Sequence, residues 1–511
     1  MIMAQHREHV MVWLIVLGVA LVGLGVYDLL QTRHAILRNF PVIGHLRYLL
    51  EAVGPELRQY IVTDNDEERP FSRDQRRWIY ASAKKQNTYF GFGTDNDVEA
   101  AANYLVVKHS AFPRALAHAG EPGYDPLHPI PCAKVMGAWR ERKHAFRPAS
   151  AVYVSAMSFG SLSAAAIEAI NRGCKLAGAM HNTGEGGISP HHAHGGDLIW
   201  QLGTGYFGAR SAGGGFDLAR VVDQVQQHPV RAIEIKLSQG AKPGLGGLLP
   251  GAKVTATIAA IRGIPQGQDC ASPASHRAFS NVDEMLDFIE RIADATGLPV
   301  GIKSAVGDLG FWDDLSRLMD TTGRGPDYIH VDGGEGGTGA APLAFADHVA
   351  LPFKMGFSRV YPAFAARGLH EKIIFVGAGR LGLPVQATLA MSMGCDMVAV
   401  AREALISIGC IQAQRCHTGH CPAGVATQSA WLMRGLDPTS KSARLANYLV
   451  ALRKEMRALA HACGRPHPAL LTLDDFEILD GRLGSSSGRA HFGYQPGWGL
   501  PGEADRAFLE G

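Results

Sequence analysis

The segment DYIHVDGGEGGTG, residues 327–339, sets the pattern by which the chain folds. A short apolar run passes directly into five glycines within seven residues. The run has the length of a buried strand, and the glycines let backbone approach a ligand closely. Seven other runs share this design: VYVSAM (152–157), GAMHN (178–182), LIWQL (198–202), AIEIKL (232–237), LPVGIK (298–303), KIIFVG (372–377) and DMVAVA (396–401). Helical periodicity falls between them at 162–175, 252–262, 282–296, 312–321 and 384–394. Eight strands alternating with helices predict an α/β protein, a (β/α)8 TIM barrel over residues 150–435. An open doubly wound sheet carries its glycine fingerprint after the first strand. Here GAGRLG (377–382) follows the seventh run, which argues against that fold.

Barrel chemistry gathers at the carboxyl ends of strands. Those ends read SFGSLS (158–163), HNTGEGG (181–187), KLSQGAKPGLGG (236–247), Lys303, DGGEGGTG (332–339), GAGR (377–380) and AR (401–402). Glycines after the sixth and seventh strands suit a phosphate held by backbone N–H groups. A cation such as Lys303 would stabilise a reduced, anionic flavin ring. The long connection from about 240 to 280 is expected to make an active-site excursion.

A second dense stretch, GCIQAQRCHTGHCPAGVATQ from Gly409, spaces Cys410, Cys416 and Cys421 as C-x5-C-x4-C. Three close thiolates suit a soft-metal site. Three ligands fit a [3Fe–4S] cluster, or zinc with His417 or His420 as the fourth, or free thiols.

The composition excludes other classes. Lys and Arg number 49 against 47 Asp and Glu, which leaves no basic footprint for nucleic acid. Eight cysteines in 511 residues are too sparse for a disulfide scaffold and point to a reducing compartment.

The amino terminus is apolar. Val10 through Tyr27 is uncharged, eighteen residues, just enough to cross a hydrocarbon core as a helix. Residues 10–30 are therefore expected to be an uncleaved transmembrane helix after a short tail (1–9). Arg33, Arg38 and Arg47 follow it and Arg7 precedes it, which predicts a single pass through the inner (cytoplasmic) membrane with the catalytic bulk in the cytoplasm. Residues 31–149 read as a cap. It has two amphipathic helices broken at Pro41 and Gly54, a charged exposed stretch from Asn65 to Arg77, and short strands within 88–110. Trp78 and Tyr80 read as core residues. Residues 436–511 read as a helical and irregular extension packed on the barrel, with Thr472 as an N-cap.

SAMSFGSLS, NTGEGG, IKLSQGAKPG, LPGAKV, HVDGGEGGTGAAP and the cysteine stretch occur in this order over roughly residues 130–435. Together they resemble the FMN-binding synthase domain of glutamate synthase. The amino-terminal part resembles short, membrane-linked members of that family. The resemblance implies FMN beside a [3Fe–4S] cluster on Cys410, Cys416 and Cys421. It implies reductive amination of 2-oxoglutarate with ammonia, an iminoglutarate taking hydride from reduced FMN. Met157 and Ser158 would flank the flavin, and Gln239 and Lys303 would meet its polar edge. Asp332 would belong to the same site, and Gly334, Gly336, Gly337, Gly379 and Arg380 would hold the phosphate. Glu185, Lys236, Lys242 and Arg262 would surround the 2-oxo acid.

There are departures from the family. MIMAQ leads into the anchor with no glutaminase-length segment, so this polypeptide is expected not to split glutamine. Ammonia would come free or from a separate glutaminase, and electrons from ferredoxin or an NADPH-oxidising subunit. Leu245 and Leu248 stand where the larger enzymes carry Glu and Gln. A different amine or 2-oxo acid is therefore an alternative substrate. A non-catalytic, membrane-tethered electron carrier is a weaker alternative, since such a carrier needs no dicarboxylate pocket.

Overall fold

The computed structural model describes residues 2–31, 33–63 and 68–510. The chain divides into two compact units, with the boundary between Asp74 and Gln75.

The amino-terminal unit begins with a helix, Ile2–Leu30. Its segment His9–Leu30 is long and apolar enough to cross a membrane, and the most apolar eighteen residues within it are not buried. Helices Ala35–Asn39 and Gly44–Leu57 follow. Pro41 separates them as expected, but Gly54 does not break the second. One glycine costs a helix only about 1 kcal/mol against alanine. The α-helix gives way later, in a π turn at Arg58–Val62 where Thr63 N–H reaches Arg58 O. The stretch expected to be exposed from Asn65 to Arg77 differs as well. Residues 65–67 lie outside the described residues, and Arg73–Ala83 is a helix that buries Arg76 and Trp78.

The second unit holds a closed barrel of eight parallel strands. They are β1 (Val152–Val154), β2 (His181–Asn182), β3 (Leu198–Leu202), β4 (Val230–Lys236), β5 (Val300–Ala305), β6 (Tyr328–Asp332), β7 (Ile374–Ala378) and β8 (Met397–Val400). Their order follows the sequence, and β8 pairs with β1 to close the ring. Every expected run supplies one strand. Strands buried on both faces read as continuous apolar runs, which is why they are visible in the sequence.

Local signals set the helices. Ser163 accepts from Ala166 N–H at the start of Ala164–Ala177, and Gly178, at φ 63°, ends it. Asp437 caps Pro438–Ala462. These two helices pack closely because Gly173 has no side chain; a Cβ there would lie 2.9 Å from Leu445.

The extension is more regular than expected. Phe476–Leu479 pairs antiparallel with Leu105–Val107 and with Ser485–Ser487, so the tail supplies two of three strands in a small sheet. Thr472 precedes a short 3-10 turn, and Asp475 accepts from its N–H at 2.7 Å.

Candidate functional site

Lys236 ends β4 and stands in register with Lys303 on β5. In adjacent parallel strands, residues in register leave the sheet on the same face. Each lysine has met a carboxylate. Glu185, in the loop after β2, places Oε1 2.8 Å from Lys236 Nζ. Asp332, at the end of β6, places Oδ2 3.3 Å from Lys303 Nζ and accepts from Gly240 N–H at 3.1 Å. Burial works to raise the Glu185 carboxyl, but Lys236, then Lys242 and Arg262, hold it below its ordinary value. Asp332 is likewise held low: burial opposes, and Lys303, His330 and Gly240 N–H prevail.

The excursion after β4 folds back over Glu185. A Cβ on Gly247 would stand 2.8 Å from Glu185 Oε1. His276 anchors the return, with Nε2–H donating to Lys236 O at 2.9 Å and Nδ1 3.1 Å from Tyr206 Oη. Lys242 is buried, and burial together with the Lys236 charge lowers its pKa. Arg262, on helix Ala256–Arg262, donates to Phe159 O at 3.1 Å, while its buried Nε has no partner. A guanidinium with spare donors beside two lysines fits a carboxylate ligand.

The loops expected to hold a flavin also converge. Ser158 lies against the loop after β2, where a Cβ on Gly184 would meet its backbone nitrogen at 2.5 Å. Met157, beside it, is half-buried. Gln239 Nε2 donates to Thr338 Oγ1 at 3.1 Å, linking the loops after β4 and β6. Gly333 N–H donates to Ala378 O at 2.8 Å and so joins the β6 loop to β7, next to Gly379 (φ 128°) and Arg380 (φ 54°). Gly334 and Gly336 spend their N–H groups on Leu351 O and Gly333 O. These two therefore shape the turn instead of pointing their N–H groups outward. Lys354 adds cationic character there, next to Glu335 and Arg380.

Cys410, Cys416 and Cys421 are free thiols, and the neighbouring sulfurs help to raise the pKa of Cys410 and Cys416. Burial is the larger cause, and Cys410 is pushed up to about 11. A bound metal cation would favour the thiolate form. Lys253 Nζ donates to Cys416 O at 2.8 Å and to Ala426 O at 3.3 Å, and Tyr80 Oη donates to Cys410 O at 2.7 Å. Three thiolates on one zinc would stand about 3.8 Å apart. Among the described residues no three such ligands gather at a single ion. A three-iron cluster takes each thiolate on a different iron and does not need the three to meet at one point; three thiols on one loop, with Lys253 and Tyr80 bracing its backbone, are a donor set of suitable chemistry.

The profile described as the conserved region in glutamate synthase matches residues 133–466. The chain belongs to the glutamate synthase family of oxidoreductases. A glutamate synthase large subunit-like protein, YerD, of Bacillus subtilis is 38% identical over 469 residues, 86% of this chain and 88% of its own length. An archaeal glutamate synthase (NADPH) of Methanocaldococcus jannaschii is 34% identical over 319 residues, 61% of this chain and 59% of its own. A large subunit-like protein of Rhizobium meliloti is 31% identical over 345 residues, 64% of this chain and 74% of its own.

In this glutamate synthase family barrel, several site residues are invisible to motif reading. Below Lys303, Glu234 accepts from Asn182 at 2.9 Å and Gln201 at 2.7 Å, and His330 Nδ1 lies 2.9 Å away. Burial opposes its ionisation, but His330, Lys303 and Gln201 bring its pKa down to about 2. Arg402 donates to Glu335 O beneath the β6 loop. Tyr80, expected to be a core residue, also supports the cysteine loop through its hydroxyl. Alternation along the strands is the one sequence signal that marks Glu234 and His330 as inward-facing.

Proposed function

We propose that the chain forms glutamate from 2-oxoglutarate and ammonia, consuming two electrons and two protons and releasing water. The observation that carries this reading is the convergence of Lys236, Lys242 and Arg262 on Glu185 at the barrel mouth. Bound FMN would supply the hydride and a [3Fe–4S] cluster on Cys410, Cys416 and Cys421 single electrons. Arg262 and Lys242 hold the substrate carboxylates. Glu185 keeps its negative charge and stabilises the protonated imine, which is cationic. Lys303 and Gln239 meet the polar edge of the flavin, and Asp332 orients Lys303. Gly337, Gly379 and Arg380 hold its phosphate.

The exposed apolar helix supports an inner-membrane anchor. The arginines after it support a cytoplasmic barrel, served by ferredoxin or an NADPH-oxidising subunit, with ammonia free or from a separate glutaminase. The test is anaerobic purification followed by incubation of the reduced protein with 2-oxoglutarate and ammonium. Glutamate is the expected product; its absence from protein that retains flavin and iron absorbance overturns the reading. One observation favours a second reading, another amine or 2-oxo acid. Leu245 and Leu248, 37% and 53% exposed, flank the Gly247 backbone that covers Glu185. Turnover of a less polar 2-oxo acid in place of 2-oxoglutarate would support it.

A further inference from the structure

Among the described residues, the helix Gly44–Leu57 presents an exposed apolar face. At 100° per residue, Leu46, Leu49, Leu50, Val53 and Leu57 fall within an arc of about 100°. Their exposures are 57, 58, 54, 39 and 41%. Ile43, just before the helix, is 75% exposed. Arg47 and Glu51 fall on the other side, and His45 and Glu56 border the stripe beside Leu49. An apolar stripe this complete is what a surface helix buries.

Two further observations say what buries it. The stripe lies in the same compact unit as the exposed apolar helix His9–Leu30. The two are clamped together: Asp28 is fully buried and accepts from Val42 N–H at 2.8 Å, and His45 Nε2 lies 2.9 Å from its carboxylate. A carboxylate in the last turn of a helix opposes the helix dipole, so this clamp offsets an unfavourable placement. It fixes the start of Gly44–Leu57 at the end of the apolar helix, where a bilayer surface would be. Over residues 33–62 there are four arginines, Arg33, Arg38, Arg47 and Arg58, against Glu51 and Glu56.

We infer that Gly44–Leu57 lies flat in the bilayer interface, with its leucine stripe among the acyl chains and Arg47, with the flanking Arg33, Arg38 and Arg58, against anionic lipid headgroups. This rests on the anchor reading and adds to it a second, lateral contact. At 1.5 Å per residue the helix reaches about 21 Å along the surface.

The test uses the full chain in vesicles of phosphatidylcholine and phosphatidylglycerol. A photoreactive benzoylphenylalanine is introduced separately for Val19, Leu50 and Glu51, and lipid adducts are read by mass spectrometry. Adducts at positions 19 and 50 with little at 51 are expected. An adduct at 19 without one at 50, equal yields at 50 and 51, or a protein–protein adduct at 50 overturns the inference and leaves the anchor standing. An adduct at 50 without one at 19 removes the anchor and with it the inference as argued; no adduct at either likewise removes both. Asp28→Asn is expected to reduce the contrast between 50 and 51 several-fold with the yield at 19 unchanged. An unchanged contrast overturns the clamp.

Discussion

Glu185 Oε1 and Lys236 Nζ stand 2.8 Å apart across the mouth of the barrel, joining the loop after β2 to the end of β4. Burial by itself would raise the Glu185 carboxyl above its ordinary 4.5, and the surrounding cations hold it below. A carboxylate held low keeps its charge, and the stability of its pair, above the unfolded pKa and loses both as pH falls through the folded pKa. Lys236→Met removes the nearest cation. The acid limb of glutamate formation is expected to move to higher pH, and the rate to fall by about 10²-fold or more. A pH–rate profile checks this; an unmoved acid limb would show that the pair does not set the charge of Glu185.

Lys242 gives the opposite limb. Burial and the Lys236 charge bring its ammonium below the usual 10.5. Its charge is thus lost as pH rises through a value lower than that of a free lysine, and affinity for a dicarboxylate weakens there. Lys242→Arg keeps the charge to higher pH. KM measured against pH is expected to stay flat further into the alkaline range than in the wild type.

Gly240 reports on the flavin cradle. A Cβ there would run into the Gly333 carbonyl, and Gly240 N–H is already held by Asp332 at 3.1 Å. Gly240→Ala must push the β4 and β6 loops apart, at a cost of about 1–3 kcal/mol. Reduced flavin absorbance per protein and a lowered Tm are expected. Flavin retained in full would mean the two loops do not share the cofactor.

Lys253 reports on the cysteine loop. It donates to Cys416 O and Ala426 O from a buried position. A cation beside thiolates favours the reduced, more negative cluster. Lys253→Met is expected to lower the midpoint potential, read by electron paramagnetic resonance during redox titration. Cys416→Ser should remove the cluster signal and Cys463→Ser should leave it.

Much of the site was legible before the structure. Glu185, Lys236, Lys242 and Arg262, grouped by the family resemblance, stand close together, whereas the pairing of Lys303 with Asp332 is visible only in the structure. The glycines of the β6 loop were legible as a cluster, but not that Gly334 and Gly336 turn their N–H groups inward. The hydroxyl of Tyr80 reaches Cys410 O across 330 residues of chain, a contact that no local pattern encodes.

The sequence by itself determined the eight strands, the glycine-rich ends, the cysteine spacing and the apolar amino-terminal helix. Each is a local property, written in runs and intervals of neighbouring residues. Only the tertiary structure decided which lysine meets which carboxylate, and which N–H groups are already spent. Charge pairing and hydrogen bonding depend on distances of a few ångströms between elements far apart in the chain. Those distances are set when the barrel closes.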